Sequence, residues 1–145
     1  MKGKRILVVE DHPDHAELVT TLLQGAGYEV LHCPTGEESL GYSKRFAPHL
    51  VVMDINLPGM DGLTATQRLR RHEETAAIPV LALTAYAMPV EQELIRAAGC
   101  VDVVTKPMNT PAFLARVASL VGRAPAPGAT HGPAESLAGT LTSPA

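Results

Sequence analysis

The chain alternates between short apolar runs and longer amphipathic segments, and it does so five times before about residue 123. The runs are rich in Val, Ile and Leu, which is typical of strands that are covered on both faces of a sheet. They lie at residues 5–9, 28–31, 50–53, 79–83 and 101–104. Because the second and fifth runs partly alternate with polar residues, we expect these two strands nearer the sheet edges.

The segments between the runs have the periodicity and the end signals of helices. Thr35, with Glu38 three residues later, has capping-box spacing for the second helix. The third and fourth helices are predicted at about residues 63–72 and 89–98, and Thr110 is predicted to cap the fifth. Strands that alternate with helices predict an α/β fold with a doubly wound parallel sheet and helices on both faces. Five strands suit the flavodoxin-like order 2-1-3-4-5.

Composition divides the chain at about residue 123. Residues 124–145 are mostly Ala, Pro, Gly, Ser and Thr, and such a segment buries too little apolar surface to offset its ordering entropy. We therefore expect one folded domain over residues 1–123 and a flexible tail over residues 124–145. We also expect the tail to be too small for a separate output domain.

Charge and hydropathy exclude several classes of protein. With 12 Lys and Arg against 15 Asp and Glu, the net charge is −3, which disfavours binding to nucleic acid or to an anionic membrane. No apolar run approaches the roughly 20 residues that a membrane span requires. Two cysteines, Cys33 and Cys100, provide neither a disulfide framework nor a four-ligand zinc site. We expect a cytoplasmic protein.

Four of the five predicted strands are followed directly by a polar group suited to phosphoryl chemistry. Glu10 and Asp11 follow the first strand, Asp54 the third, Thr84 the fourth and Lys106 the fifth. In open parallel sheets ligands bind beyond the carboxyl ends of the strands, near the point where the strand order reverses. We therefore expect these side chains to converge on one crevice.

Three carboxylates in one crevice need a cation. Two unit charges 4 Å apart repel by about 4 kcal/mol at an effective dielectric constant of about 20. An oxygen-rich site with few protein ligands favours Mg²⁺ over Ca²⁺. With the ammonium of Lys106 and the hydroxyl of Thr84, the set is suited to a phosphoryl group whose phosphorus is attacked by a carboxylate.

These residues resemble the motif set of response-regulator receiver domains. The resemblance covers residues 4–121 and includes Glu10-Asp11, Asp54 within the segment 52–62, Thr84-Ala85 and Lys106-Pro107. It implies that Asp54 is the phospho-acceptor, with a histidine kinase or a histidine phosphotransfer protein as donor. The chain would then be a signalling switch, not an enzyme, apart from self-phosphorylation from small donors and self-dephosphorylation.

The resemblance also assigns the remaining roles. Asp11 and Asp54 would bind Mg²⁺ directly, Asn56 would contribute its backbone carbonyl, and Glu10 would act mainly through water. Thr84 and Lys106 would each bond a phosphoryl oxygen. The face formed by the fourth helix, fifth strand and fifth helix would bind a downstream protein, and the first helix would contact the phosphodonor.

Three positions add detail to this resemblance. Receivers usually carry an aromatic residue three positions before the Lys, where this chain has Val103. We therefore expect coupling between Thr84 and the output face to work without an aromatic rotamer switch. Tyr86 is a candidate for shielding the phosphoryl group, and Pro107 permits the cis bond common in the family.

Other interpretations fit the residues less well. His12 and His15, three apart at a helix start, could bind a transition metal but lack further ligands at fixed spacing. The acidic turn after the first strand has no glycine-rich dinucleotide fingerprint. An Asp-nucleophile phosphohydrolase would need a second acid where Asn56 stands. A receiver excised from a hybrid histidine kinase remains an alternative to a stand-alone protein.

Overall fold

The computed structural model describes residues 3–85, 88–106 and 109–123. Five strands alternate with five helices in the described residues, as the sequence predicts. Their bounds are β1 Arg5–Val9, α1 Pro13–Gly25, β2 Glu29–Cys33, α2 Gly36–Phe46, β3 Leu50–Asp54, α3 Gly62–Arg71, β4 Val80–Thr84, α4 Pro89–Ala97, β5 Asp102–Thr105 and α5 Thr110–Arg123.

All strand pairs are parallel, and the sheet has the order β2-β1-β3-β4-β5. This confirms the predicted flavodoxin-like topology and the assignment of β2 and β5 to the edges. The strand β2 extends two residues beyond the predicted end, because Val8 and Val9 of β1 still pair with His32 and Cys33 there. The carboxyl ends of β1 and β3 lie side by side at the centre of the sheet.

Each face of the sheet is covered by its own apolar cluster. Leu7 and Val9 of β1 belong to the cluster that includes residues of α2, α3 and α4. The half-buried Val103 packs against the same cluster. Ile6 and Val8 belong to the cluster that includes Val19 and Leu23 of α1 and apolar residues of α5. The alternation along β1 therefore divides the helices between the two faces, with α1 and α5 on one and the other three opposite.

The structure confirms the predicted N-cap of α2 and contradicts the predicted N-cap of α5. Thr35 accepts a hydrogen bond from the Glu38 backbone N–H at 3.1 Å, which confirms the predicted cap of α2. The prediction that Thr110 caps α5 is wrong, because Thr110 is the first helical residue. Asn109 accepts from the Ala112 N–H at 2.9 Å instead, since an Asn one position earlier satisfies the same orphan donor.

Three expectations fall on parts of the chain outside the described residues. They are the tail over residues 124–145, the shielding role of Tyr86 and the peptide bond before Pro107. Among the residues that are described, no helix is both long enough and apolar enough to cross a membrane.

Candidate functional site

Three carboxylates meet where β1 and β3 end. Glu10 follows β1, Asp11 comes next, and Asp54 is the last residue of β3. One carboxylate oxygen of each residue can be chosen so that the three lie within 4.8 Å of one another. Glu10 and Asp54 are buried and Asp11 is exposed. The predicted convergence at the point of strand reversal is therefore present in the structure.

The surroundings of Glu10 disfavour the ionised form of its carboxyl group. The pKa of Glu10 is raised to about 7, first by burial and then by the hydrogen bond to Asp54 and the charge of Asp54. The positive charge of Lys106 and the His12 backbone N–H, which donates to Glu10 Oε2 at 3.3 Å, oppose this rise. Without a cation, the pocket thus tends to keep a proton near neutral pH.

Asp54 is oriented by the loop that follows it. Its Oδ1 accepts from the Asn56 backbone N–H at 3.1 Å. The start of α3 packs directly on the Asp54 backbone, because a Cβ at Gly62 would lie 2.3 Å from the Asp54 carbonyl oxygen. Glycine is therefore required at position 62 for the helix to approach the Asp54 peptide this closely.

Lys106 and Thr84 complete the ring of groups around the crevice. The Lys106 ammonium lies 3.4 Å from Asp54 Oδ1 and 3.5 Å from Glu10 Oε1. Its backbone N–H donates to the Thr84 carbonyl at 2.8 Å, which joins the ends of β4 and β5. Thr84 is 2% exposed. The lysine thus balances part of the carboxylate charge, and the threonine lies at the adjacent strand end.

The donor set fits a magnesium ion. The cluster contains three carboxylates, and among the described residues the Lys106 ammonium pairs with two of them, Glu10 and Asp54. Negative charge is therefore in excess, and the candidate ligand atoms are hard oxygens. Asn56 is two residues beyond Asp54, and its N–H is engaged by Asp54 Oδ1. The resemblance to receiver domains implies that the Asn56 carbonyl is a further oxygen ligand, and this role stays a prediction.

The alternative roles considered for neighbouring residues find less support in the structure. His12 occupies the N-cap position of α1. The exposed rings of His12 and His15 stack on each other with centroids 4.4 Å apart. Neither histidine belongs to the carboxylate cluster found among the described residues.

Two contacts at the site were not predicted from the sequence. His32 of β2 contacts the Glu10 carbonyl, with its Nε2 at 2.7 Å. Glu37 of α2 accepts from the Met60 N–H at 3.2 Å and so ties the loop after β3 to α2. Both join residues more than twenty positions apart. The available signal for His32 was its position just beyond an apolar run, because continuation of the strand places it beside the last residues of β1.

A cavity of about 470 Å³ opens beside the acidic pocket. Glu10 and Lys106 line it where it meets the carboxylates, and Leu18 and Leu22 of α1 line its apolar part. Leu18 is 52% exposed, which is unusual for a large apolar side chain. The crevice is therefore continuous with an apolar surface on α1.

The structure is a doubly wound α/β domain with an acidic pocket at the carboxyl ends of its central strands, and comparison with known proteins gives its family. A family model for the response regulator receiver domain matches residues 6–118. The chain belongs to this family, whose members are generally signalling switches and not classical enzymes. It is accordingly the receiver domain of a two-component response regulator, with an acidic pocket compatible with Mg²⁺ and phosphorylation.

Individual relatives share both sequence and structure with the chain. It is 37% identical over 121 residues to the polar-differentiation response regulator DivK of Brucella ovis, which covers 83% of this chain and 98% of that protein. The receiver domain of sensor histidine kinase PA1611 from Pseudomonas aeruginosa is similar with a TM-score of 0.77 and 30% identity, over 83% and 98% of the two chains. That structure has a magnesium ion coordinated in its active-site cleft.

A chemotaxis protein provides a second structural comparison. CheY4 of Vibrio cholerae is similar with a TM-score of 0.77 and 26% identity, over 81% of this chain and 98% of that chain. A chemotaxis protein and the receiver domain of a sensor histidine kinase therefore both resemble this chain.

Proposed function

We propose that Asp54 accepts a phosphoryl group from a histidine kinase or a histidine phosphotransfer protein, with Mg²⁺ bound by Asp11, Asp54 and the Asn56 carbonyl, and with Glu10 acting mainly through water. The observation that carries the proposal is the placement of Lys106, 3.4 Å from the buried Asp54 and 3.5 Å from Glu10. A buried carboxylate with an ammonium, two further carboxylates and a neighbouring hydroxyl is a nucleophile in a site built for phosphoryl oxygens.

The reaction is a displacement at phosphorus. A carboxylate oxygen of Asp54 attacks the phosphorus, the bond between phosphorus and the donor imidazole nitrogen breaks, and that nitrogen keeps the electron pair. When bound, Mg²⁺ neutralises charge on the phosphoryl oxygens. The Asn56 N–H and Lys106 hold Asp54 Oδ1 and so fix the orientation of the nucleophile.

After transfer, the residues at the ends of β4 and β5 respond to the new group. Lys106 pairs with one phosphoryl oxygen and the Thr84 hydroxyl bonds another, which biases an existing two-state equilibrium. At position 103 the chain has Val, which is half-buried against the core. Because valine has no ring to rotate, this coupling runs without an aromatic rotamer switch.

Two surfaces suit the partners in this proposal. The cavity beside Lys106 continues onto the exposed Leu18 of α1, so a phosphodonor can contact α1 while its histidine reaches Asp54. The second surface lies at α4 and the start of β5, where four large apolar side chains are exposed: Met88, Val90, Leu94 and Val101. Exposed apolar side chains grouped in this way favour binding of a downstream protein.

Phosphorylation by acetyl phosphate with Mg²⁺, followed by intact mass, tests the proposal. We expect a mass gain of one phosphate in the wild type, and no gain in Asp54→Ala or with a chelator. Asp14→Ala is the matched control, because Asp14 is an exposed carboxylate in the first turn of α1. Labelling that persists in Asp54→Ala would refute the assignment of the phospho-acceptor.

The enzymatic alternative, an Asp-nucleophile phosphohydrolase, is tested with the same protein. Asn56 stands where such an enzyme has its acid–base carboxyl group, and its N–H is bonded to Asp54. We expect slow self-dephosphorylation and no turnover of phosphomonoesters. Efficient turnover of any phosphomonoester would favour the hydrolase over the receiver.

A further inference from the structure

His32 makes a hydrogen bond that no role described so far requires. It lies on the edge strand β2 with an exposed side chain, and its Nε2 is 2.7 Å from the Glu10 carbonyl oxygen. A carbonyl oxygen only accepts, so Nε2 carries the hydrogen in this contact and the imidazole is the donor. A side chain on β2 thus bonds the backbone where β1 ends.

The bonded carbonyl belongs to the peptide that joins Glu10 to Asp11. On its other side, the Glu10 N–H donates to the Cys33 carbonyl at 3.0 Å. Both backbone groups of Glu10 are therefore bonded to β2, one through the main chain and one through His32. Asp11 follows this peptide directly and is exposed, so the Glu10–Asp11 peptide plane determines where its carboxylate begins.

The side-chain contacts of Glu10 do not involve its carbonyl oxygen. Its Oε2 accepts from the His12 N–H and its Oε1 faces Lys106. These contacts fix the carboxylate of Glu10, and the bond from His12 also restrains the backbone just beyond Asp11. The Glu10 carbonyl, which belongs to the Glu10–Asp11 peptide itself, is bonded by His32.

We propose that His32 is a positioning residue for the divalent cation, acting through the Glu10–Asp11 peptide on the Asp11 carboxylate. The inference rests on the proposed function in one respect, because it takes Glu10, Asp11 and Asp54 as the cation site. His32 is not itself a ligand: its Nε2 is engaged by the carbonyl, and it lies outside the carboxylate cluster. Groups that orient metal ligands tune affinity without touching the ion.

Titration of the metal-free protein with MgCl₂, followed by backbone amide NMR, tests the proposal. We expect Kd for Mg²⁺ to rise about tenfold in His32→Ala, which is the lower end for loss of a group that orients a ligand. His32→Gln retains an amide donor of similar reach and is expected to restore affinity to near the wild-type value. The Asp11 amide resonance should already move in His32→Ala before Mg²⁺ is added.

The matched control is Leu31→Thr. Leu31 is an exposed neighbour on the same edge strand, its side chain points to the opposite face of the sheet, and Thr retains strand propensity. We expect its Kd for Mg²⁺ to equal that of the wild type. A Kd unchanged in His32→Ala would overturn the proposal. Equal weakening in all three variants would also overturn it, because the cause would then be a loosened strand edge.

A second readout separates positioning from a role in phosphoryl transfer. At saturating Mg²⁺ the rate of labelling by acetyl phosphate should be the same in His32→Ala and the wild type, and at low Mg²⁺ the variant should be slower. A variant that stays slow at saturating Mg²⁺ contradicts a role through the cation alone. If the wild type is not labelled at all, the proposed function fails, but the comparison of Mg²⁺ affinities still decides the role of His32.

Discussion

Polar groups are buried at both ends of the sheet, but they are paired with hydrogen-bond partners at the amino end and crowded with like charges at the carboxyl end. At the amino end, the Arg5 guanidinium donates to the carbonyls of Phe46 at 3.0 Å and Ala47 at 2.8 Å. His49 Nδ1 accepts from the Arg5 backbone N–H at 3.1 Å. At the carboxyl end, Glu10 and Asp54 are buried beside each other with one ammonium between them.

The difference separates buried polar groups that are paired with each other from buried polar groups that leave like charges close together. Donors and acceptors at the amino end are matched, so burial there costs little and fixes β1 against the end of α2. At the carboxyl end, burial and, to a lesser extent, the neighbouring Asp54 carboxylate raise the pKa of Glu10 to about 7. Such an arrangement is unfavourable until a cation binds, as expected of a functional site.

The largest effect is expected where the backbone itself packs against the carboxyl end. In Gly62→Ala the new Cβ would lie 2.3 Å from the Asp54 carbonyl oxygen and 2.8 Å from the Ile55 Cα, so the backbone must shift. We expect a loss of about 3 kcal/mol in the free energy of unfolding and a loss of labelling by acetyl phosphate. Urea unfolding and intact mass measure the two effects.

Gly25→Ala is the matched control for this substitution. Gly25 ends α1, and a Cβ there meets nothing within 4 Å. We expect a gain of about 0.5–1 kcal/mol, because alanine loses less backbone entropy than glycine in a helix. If Gly62→Ala is as stable as Gly25→Ala, the backbone approach at the site is not tight.

Removing one buried charge should stabilise the carboxyl end in the absence of metal. The pKa of Glu10 is about 4.5 when unfolded and about 7 when folded, so the folded state binds more protons between these values. The stability of the wild type therefore falls as pH rises through this interval. With EDTA present, we expect Glu10→Gln to raise the free energy of unfolding by about 2 kcal/mol above pH 7 and by little below pH 4.

Urea unfolding at several pH values checks this prediction. Glu29→Gln, at an exposed position on β2, controls for the removal of one negative charge. Added MgCl₂ should stabilise the wild type more than Glu10→Gln and so reduce the difference between them. No gain for Glu10→Gln at high pH would mean that the two ends of the sheet do not differ as described.

The sequence predicted which polar residues follow the strands, but it did not predict the side-chain hydrogen bonds that join separate elements, and the reason is physical. Glu10, Asp54 and Lys106 could be placed together because parallel strands bring their carboxyl ends to one edge, whatever the details of packing. The bonds of His32 and His49 join residues 22 and 44 positions apart and depend on the register between elements. Periodicity fixes the face on which a residue lies, but not the single partner that it meets there.

A smaller effect, with the opposite dependence on pH, is expected at the amino end. Burial lowers the pKa of His49, and the charges of Arg5 and Lys4 lower it further, so the folded state favours the neutral ring. The stability that this ring contributes is present above pH 6.5 and is lost as pH falls from there through the lower folded pKa. Removing the acceptor in His49→Ala leaves the Arg5 N–H without this partner and should cost about 1–2 kcal/mol near pH 7.5.

His49→Asn separates the hydrogen bond from the titration. Its side-chain oxygen lies near the position of Nδ1 and can accept from the Arg5 N–H at any pH, so we expect it to lose less stability than His49→Ala. Because Asn does not titrate, the advantage of the wild type over His49→Asn should shrink as pH falls below about 6.5. Over the same interval Glu10 changes stability in the opposite direction, because its folded state gains protons and that of His49 excludes them. A constant difference between wild type and His49→Asn from pH 7.5 to 5 would show that the acceptor, and not its protonation, accounts for the contribution of His49.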